Sequence, residues 1–370
     1  MQKPVSRVLV LILVVALCGA PGLVLGAGPG GGAPDALTTL LDRGQRALEK
    51  GDTAGALAAF DAAAALDPGD ARAFYLRGVV LEQKGDPRSA EAAYRTALGK
   101  KADFPEAENN LGGLLLARGD AVAAARAFEA ASRARAGGWA EASFNLGVAR
   151  DALGASALAV TAYREAVRLK PTDAGYRMNL GVALRRTGDL GGAVQALREA
   201  ARMAPRNPAI WTNLGMVESD GKQYDAAAAS LEKAIALDAG AALAWNRLGR
   251  VELRRGHVDR AVEASGRARK LAPTNAGFAA DACRTLIEKK DTGRAVAECR
   301  AAVKLDEQNP LARYELVKAL AAHGDCSGAR QELERFRGLA GVKAEAKAEA
   351  GAMADACASS SRPRPGSPRP

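Results

Sequence analysis

Apolar and polar residues follow two superimposed periods along this chain. Over short windows, apolar side chains recur three and four positions apart, as at Leu111 and Leu115 or at Ala124, Phe128 and Ala131. That spacing predicts amphipathic helices with one buried stripe each. A longer period overlies the helical one. Gly44, Gly78, Gly112, Gly147, Gly181, Gly215 and Gly249 stand 34 residues apart, except for one step of 35 before Gly147, and Cys283 and Val317 continue the series. With this residue numbered as position 8 of a unit, position 20 is Ala in all nine units, from Ala56 to Ala329. Position 24 carries Phe60, Tyr94, Phe128 and Tyr163, then Leu197 and Leu231, while position 32 is Pro in four units, for example Pro68 and Pro171. Gly-Asp pairs at 51, 85, 119, 188 and 324 predict a turn between two helices, and the proline predicts the end of the second.

This recurrence resembles the tetratricopeptide repeat family, whose signature is W-x2-L-G-x2-Y, then A-x3-F, then P. The stretches 211–221, "WTNLGMVESDG", and 245–256, "WNRLGRVELRRG", carry its first part. The resemblance implies an all-α fold, a right-handed α-solenoid of about nine helix-turn-helix repeats closed by a C-terminal capping helix. The units run 37–70, 71–104, 105–138, 140–173, 174–207, 208–241, 242–275, 276–309 and 310–343, with one inserted residue near Gly138 and Trp139. The Ala-rich segment 344–358, with interspersed Lys and Glu, suits the solvating cap that the open end of such a stack requires. Small residues at positions 8, 20 and 27 would let paired helices approach, and large ones at 7, 11 and 24 would fill the space between them. Trp211 and Trp245, at position 4, are expected in the core.

Composition changes the picture at the two ends. Lys3 and Arg7 precede an apolar run from Val8 to Leu17, too short to span a membrane, so residues 1–26 have the layout of a secretory signal peptide. Cys18 offers a lipid-anchored alternative, although Leu17 stands where a lipobox wants a small residue. An uncleaved signal anchor is the other alternative. Residues 27–36 then form a Gly/Pro linker, and the Pro/Ser/Arg segment 359–370 reads as a disordered basic tail. Removal of residues 1–26 lowers the formal net charge from +10 to +8, because it takes two basic residues and no acid. An exported chain of that charge meets anionic lipid, cell wall polymer or acidic protein before nucleic acid, so no nucleic-acid partner is expected. Membrane contact is expected only through an N-terminal lipid or signal anchor, and the oligomeric state is open.

Four cysteines remain beyond the signal segment. Antiparallel helices bring together positions symmetric about their turn, which relates Cys283 at position 8 to Cys299 at position 24. Cys326 and Cys357 are related in the same way about the turn into the capping segment. Two disulfides in an oxidising compartment are one reading, and four buried free thiols are the other.

No catalytic constellation is visible. A phosphate loop, zinc-binding helix or nucleophile elbow is absent from the sequence, the cysteine spacings are not metal spacings, and His257 and His323 fall at turns. The chain is therefore expected not to be an enzyme and to need no cofactor or metal. The resemblance instead places function on the concave face lined by each unit's first helix, at positions 2, 5, 6, 9, 12 and 13. Position 6 holds Asn110, Asn145, Asn179 and Asn213. This ladder resembles the one in O-linked N-acetylglucosamine transferase, where amides hold an extended peptide, and an amide does offer donor and acceptor together. The alternative is that these asparagines tie adjacent helices. Arg185, Arg186, Arg247, Arg250 and Arg254 add a cationic stretch suited to an acidic peptide or a carboxylate terminus. Position 5 never carries the Lys of a carboxylate clamp. The expected function is a scaffold that binds protein or peptide partners in the periplasm or outer envelope of a bacterium, in assembly of an envelope complex. The alternatives are a module for wall glycan or anionic polymer, and an accessory subunit presenting substrates to a separate enzyme.

Overall fold

In the computed structural model, residues 35–135 and 138–360 are described. The signal segment 1–26, Cys18, linker residues 27–34 and tail residues 361–370 lie outside the described residues. The described residues contain helices and turns and no strand. The helices are α1 (Ala36–Glu49), α2 (Thr53–Leu66), α3 (Ala71–Gln83), α4 (Pro87–Lys100), α5 (Pro105–Ala117), α6 (Ala121–Ala134) and α7 (Ala140–Ala152). They continue with α8 (Ser156–Leu169), α9 (Ala174–Thr187), α10 (Leu190–Met203), α11 (Pro208–Asp220), α12 (Tyr224–Leu237) and α13 (Ala242–Arg254). The last six are α14 (Val258–Leu271), α15 (Ala276–Glu288), α16 (Thr292–Leu305), α17 (Pro310–His323), α18 (Cys326–Arg337) and α19 (Ala344–Ser360). Two compact units divide the chain, one ending at Ala90 and one beginning at Glu91.

The turn inside several hairpins rests on two adjacent residues. Gly188 and Gly324 take a left-handed backbone, φ 86° and 88°, which only glycine adopts without strain. The aspartate that follows caps the next helix: Asp189 accepts from the Gly192 N–H at 2.9 Å, and Asp325 from the Gly328 N–H at 2.8 Å. Lys222 and Lys290 occupy the glycine position in two hairpins and keep the left-handed backbone, φ 60° and 63°.

In the first unit, α1 and α2 pair and α3 packs on α2, burying Leu41, Phe60, Leu76 and Val80. In the second unit, α5 to α18 form seven antiparallel hairpins, and each second helix packs on the first helix of the next hairpin. Five residues, 135–139, join α6 to α7, against four, 170–173, from α8 to α9. In this longer connection the Arg135 guanidinium stacks 4.3 Å above the Trp139 ring, and the Trp139 indole N–H donates to Glu141.

The glycine at position 8 faces position 24 at Gly44, Gly112, Gly147, Gly181, Gly215 and Gly249. A methyl on Gly147 would sit 2.5 Å from a carbon of the Tyr163 ring, and one on Gly215 would sit 2.6 Å from Leu231 and 3.0 Å from the Ala227 carbonyl. In the eighth repeat the same two positions are joined covalently, with Cys283 and Cys299 disulfide-bonded and fully buried, Cα atoms 5.3 Å apart. A second disulfide joins Cys326 to Cys357, tying α18 to α19, which packs on α17 and α18. The tryptophans pack on the core but at its edge. Trp211 and Trp245 are only half-buried, because each indole N–H reaches outward to a loop carbonyl, Pro205 at 2.9 Å and Ala239 at 3.0 Å. Lys233 lies 4.0 Å above the Trp211 ring.

These contacts set measurable stabilities. Gly215→Ala is expected to lower stability by about 1–3 kcal/mol through overpacking. Gly113→Ala, whose methyl meets nothing within 4 Å, is expected to raise it by up to about 1 kcal/mol; urea unfolding midpoints separate the two. Lys222→Gly relieves a strained backbone and should raise the midpoint by the equivalent of about 1 kcal/mol. Replacing Cys283 and Cys299 together by Ala should lower stability by about 3 kcal/mol. Maleimide labelling of the unfolded, unreduced protein should find none of these four thiols, and labelling of all four would contradict the pairing.

Candidate functional site

In the second unit, first helices touch their counterparts in neighbouring hairpins, α9 on α11, α11 on α13, α13 on α15 and α15 on α17, whereas successive second helices do not pack together. The first-helix side is therefore the crowded, concave side, and positions 5, 6, 9, 12 and 13 project from it. Side chains bridge this face from hairpin to hairpin. Asn145 donates to Asn109 Oδ1 at 3.0 Å, and Asn246 donates to Asp281 Oδ2 at 2.9 Å, each linking position 5 of one hairpin to position 6 of the next. Positions 12 and 13 repeat the device, with Asp151 to Arg186 at 2.8 Å and Arg185 to Asp220 at 2.5 Å. Arg284 reaches Glu315 at 2.7 Å and Lys318 reaches Glu288 at 2.9 Å between α15 and α17.

The four ladder asparagines thus differ. All are half-buried. Asn110 donates to the Tyr94 hydroxyl at 3.3 Å, Asn145 ties α7 to α5, and Asn179 donates back to Gly175 in its own helix at 2.9 Å. The Asn213 amide has no hydrogen-bond partner among the described residues. The arginines divide as well. Arg185 and Arg186 are committed to the ion pairs above. Arg250 and Arg254 are exposed and carry no ion pair among the described residues. Arg247 is half-buried, its Nε is shut off from solvent without an acceptor, and burial holds its guanidinium pKa below the usual range. Sequence reasoning stopped at the asparagines and missed the acidic residues that continue position 6, Asp281 and Glu315; the repeat numbering alone was enough to find them. It also passed over an apolar stretch of half-buried side chains at positions 5 and 9, namely Phe144, Val148, Met178, Val182 and Met216.

The opposite, turn-side edge carries a cleft of about 590 Å³ lined by Lys222, Tyr224, Asp225, Arg255 and His257. Its charges neutralise one another. Arg255 Nη1 and His257 Nδ1 meet the fully buried Glu252 carboxylate at 2.9 and 2.7 Å, and Arg255 Nε meets Asp225 at 2.9 Å. His323 pairs with the Thr292 hydroxyl at 3.0 Å. No group of His, Cys, Asp and Glu among the described residues is placed to hold a metal ion. No described helix is long and apolar enough to cross a membrane.

The sequence pattern of the tetratricopeptide repeat family matches residues 41–105, 81–138, 110–174, 144–208 and 212–276, together more than half of the chain. No curated protein matches the sequence. Among solved structures, the APC/C hetero-tetramer Cut9–Hcn1 is similar at 18% identity over 76% of this chain, with a TM-score of 0.54, and this chain spans 55% of that one. The C-terminal part of a repeat-containing protein from Cytophaga hutchinsonii is similar at 16% identity and a TM-score of 0.52, over 65% of this chain and 99% of that one. YrrB, described as a tetratricopeptide protein with an unusual peptide-binding site, is 23% identical over 50% of this chain and 95% of that one, with a TM-score of 0.47. The repeat period, the hairpins packed through position 8 and the match of the family pattern agree, and the chain belongs to the tetratricopeptide repeat family.

Proposed function

We propose that this protein is an exported, non-catalytic adaptor that holds an extended segment of a partner protein against its first-helix face, in assembly of a cell-envelope complex. Tetratricopeptide repeat proteins generally act as protein-interaction scaffolds, and the finer reading rests on side chains of this chain. The observation that carries it is the free hydrogen-bonding capacity on the concave side. Asn213 has no partner among the described residues, and Asn179 bonds only its own helix. Each therefore keeps acceptor and donor groups for a peptide backbone. The half-buried apolar residues at positions 5 and 9 add area for side chains between those polar contacts. Export is supported by the signal-like segment 1–26 and by the two disulfides, which persist in oxidising compartments.

Affinity capture from envelope extract tests the reading. Residues 27–370 are compared with an Asn110→Ala, Asn179→Ala, Asn213→Ala variant, and Asn145 is left intact because it ties α7 to α5. The bound proteins are expected to fall at least tenfold in the variant while its melting temperature stays close to that of the parent. Identical capture would reject the groove. Capture that ignores the asparagines and collapses with added salt would point to an anionic polymer.

A further inference from the structure

Within the second unit, from α5 to α17, each pair of successive first helices is bridged in this way except α11 and α13. Where Asn109 and Asn246 at position 5 bond the residue at position 6 of the next hairpin, α11 has Thr212, whose hydroxyl donates to Pro208 in its own helix at 2.9 Å. Opposite it, position 6 of α13 is Arg247. Positions 12 and 13 fail in the same place, because Ser219 and Arg254 form no bridge among the described residues. Arg247 is therefore a half-buried guanidinium with no acceptor among the described residues, and its Nε is out of reach of water. The charges around it are Arg250 on its own helix, Arg185 on α9, Asp220 on α11 and Asp281 on α15. Both acids are already engaged, Asp220 by Arg185 at 2.5 Å and Asp281 by Asn246 at 2.9 Å. Three arginines thus face two committed carboxylates, and the surplus cation is the one least able to be solvated.

An unpaired guanidinium on a half-buried surface costs free energy that any aliphatic residue would avoid. A carboxylate docked on the open side of the guanidinium would accept from Nη1 and Nη2 in a two-pronged bond and would give the buried cation the counter-charge it lacks. Asn213, at position 6 of α11, stands beside it with its amide free. On the other side of Asn213 the face is apolar, through Met216, Val182, Met178, Val148 and Phe144.

We infer that Arg247 is the anchor of an anion subsite, and that the bound segment is an extended peptide with apolar residues followed by a carboxylate at the α11–α13 junction. The inference rests on the groove reading above and adds the chemistry of the occupant. Lys cannot replace Arg247 in a two-pronged bond, and Leu removes the charge without opening a cavity.

Selection of a random twelve-residue phage display library tests it. Wild-type protein is expected to enrich peptides with apolar residues and one fixed Asp or Glu. Exchange of that residue for Asn or Gln in the synthetic peptide should weaken binding about tenfold or more. Arg247→Leu, expected to melt no lower than the parent, should lose the acidic preference while still binding the apolar part. Synthetic peptides with free or amidated termini separate a side-chain carboxylate from a chain end. Enrichment without any acidic position, or an acidic preference that survives Arg247→Leu, would overturn the subsite and leave the groove standing. Failure of the wild type to enrich any peptide would overturn both.

Discussion

Two antiparallel helices in this protein approach as closely as the residue at position 8 allows the side chain at position 24 to sit. Where position 24 is aromatic, the ring fills the space: the atoms nearest to a methyl on Gly112 or Gly147 belong to Phe128 or Tyr163. Where it is Leu or Ser, backbone of the partner helix enters the gap, with a carbonyl 3.0 Å from the added methyl at Gly215 and 3.2 Å at Gly249. Any side chain larger than hydrogen would separate the helices in every one of these hairpins. The alanines at position 20 are completely buried for the same reason. From this contact follows the spacing of the hairpins, and from the spacing the way first helices meet on one side.

The C-terminal hairpins solve the problem by other means. Cys283 and Cys299 convert the contact into a bond, and Val317 fills it with an aliphatic side chain in one buried cluster with Leu320 and Leu333. Cys326 and Cys357 then hold α19 over apolar surface that a further repeat would otherwise cover, with Ala350 and Ala354 facing inward and Glu345, Glu349 and Asp355 outward. Terminal repeats of a stack have one neighbour fewer, so covalent ties offset burial that packing cannot supply.

Crowding on the concave side also explains why so few of its polar groups are free. Neighbouring first helices lie close enough for short side chains to bridge them, so asparagine and aspartate pairs satisfy one another at the 109–145 and 246–281 steps. On the proposed reading, a groove built in this way offers a partner only the groups that the bridges leave over. Those are Asn213, part of Asn179, and the arginines of α13. The same face would then serve cohesion along most of its length and recognition where cohesion lapses.

The sequence by itself determined the repeat. Glycine spacing, the alanine at position 20 and the Gly-Asp turns are local or strictly periodic signals, legible because each depends on only one or two residues. It also brought Cys283 to Cys299 by symmetry about a turn, and it singled out position 6. It did not place Trp211 and Trp245 at the edge of the core, where each packs on buried residues while its N–H reaches a loop carbonyl. Nor did it tell Asn145 from Asn213, or Arg185 from Arg247, since identical residues at related positions differ only in what the neighbouring helix presents. Tertiary structure decided those cases. A hydrogen bond between hairpins depends on the side chain at position 5 or 12 one repeat away, and only the packed neighbour shows whether that partner is an asparagine that reaches across or a threonine turned back on its own helix.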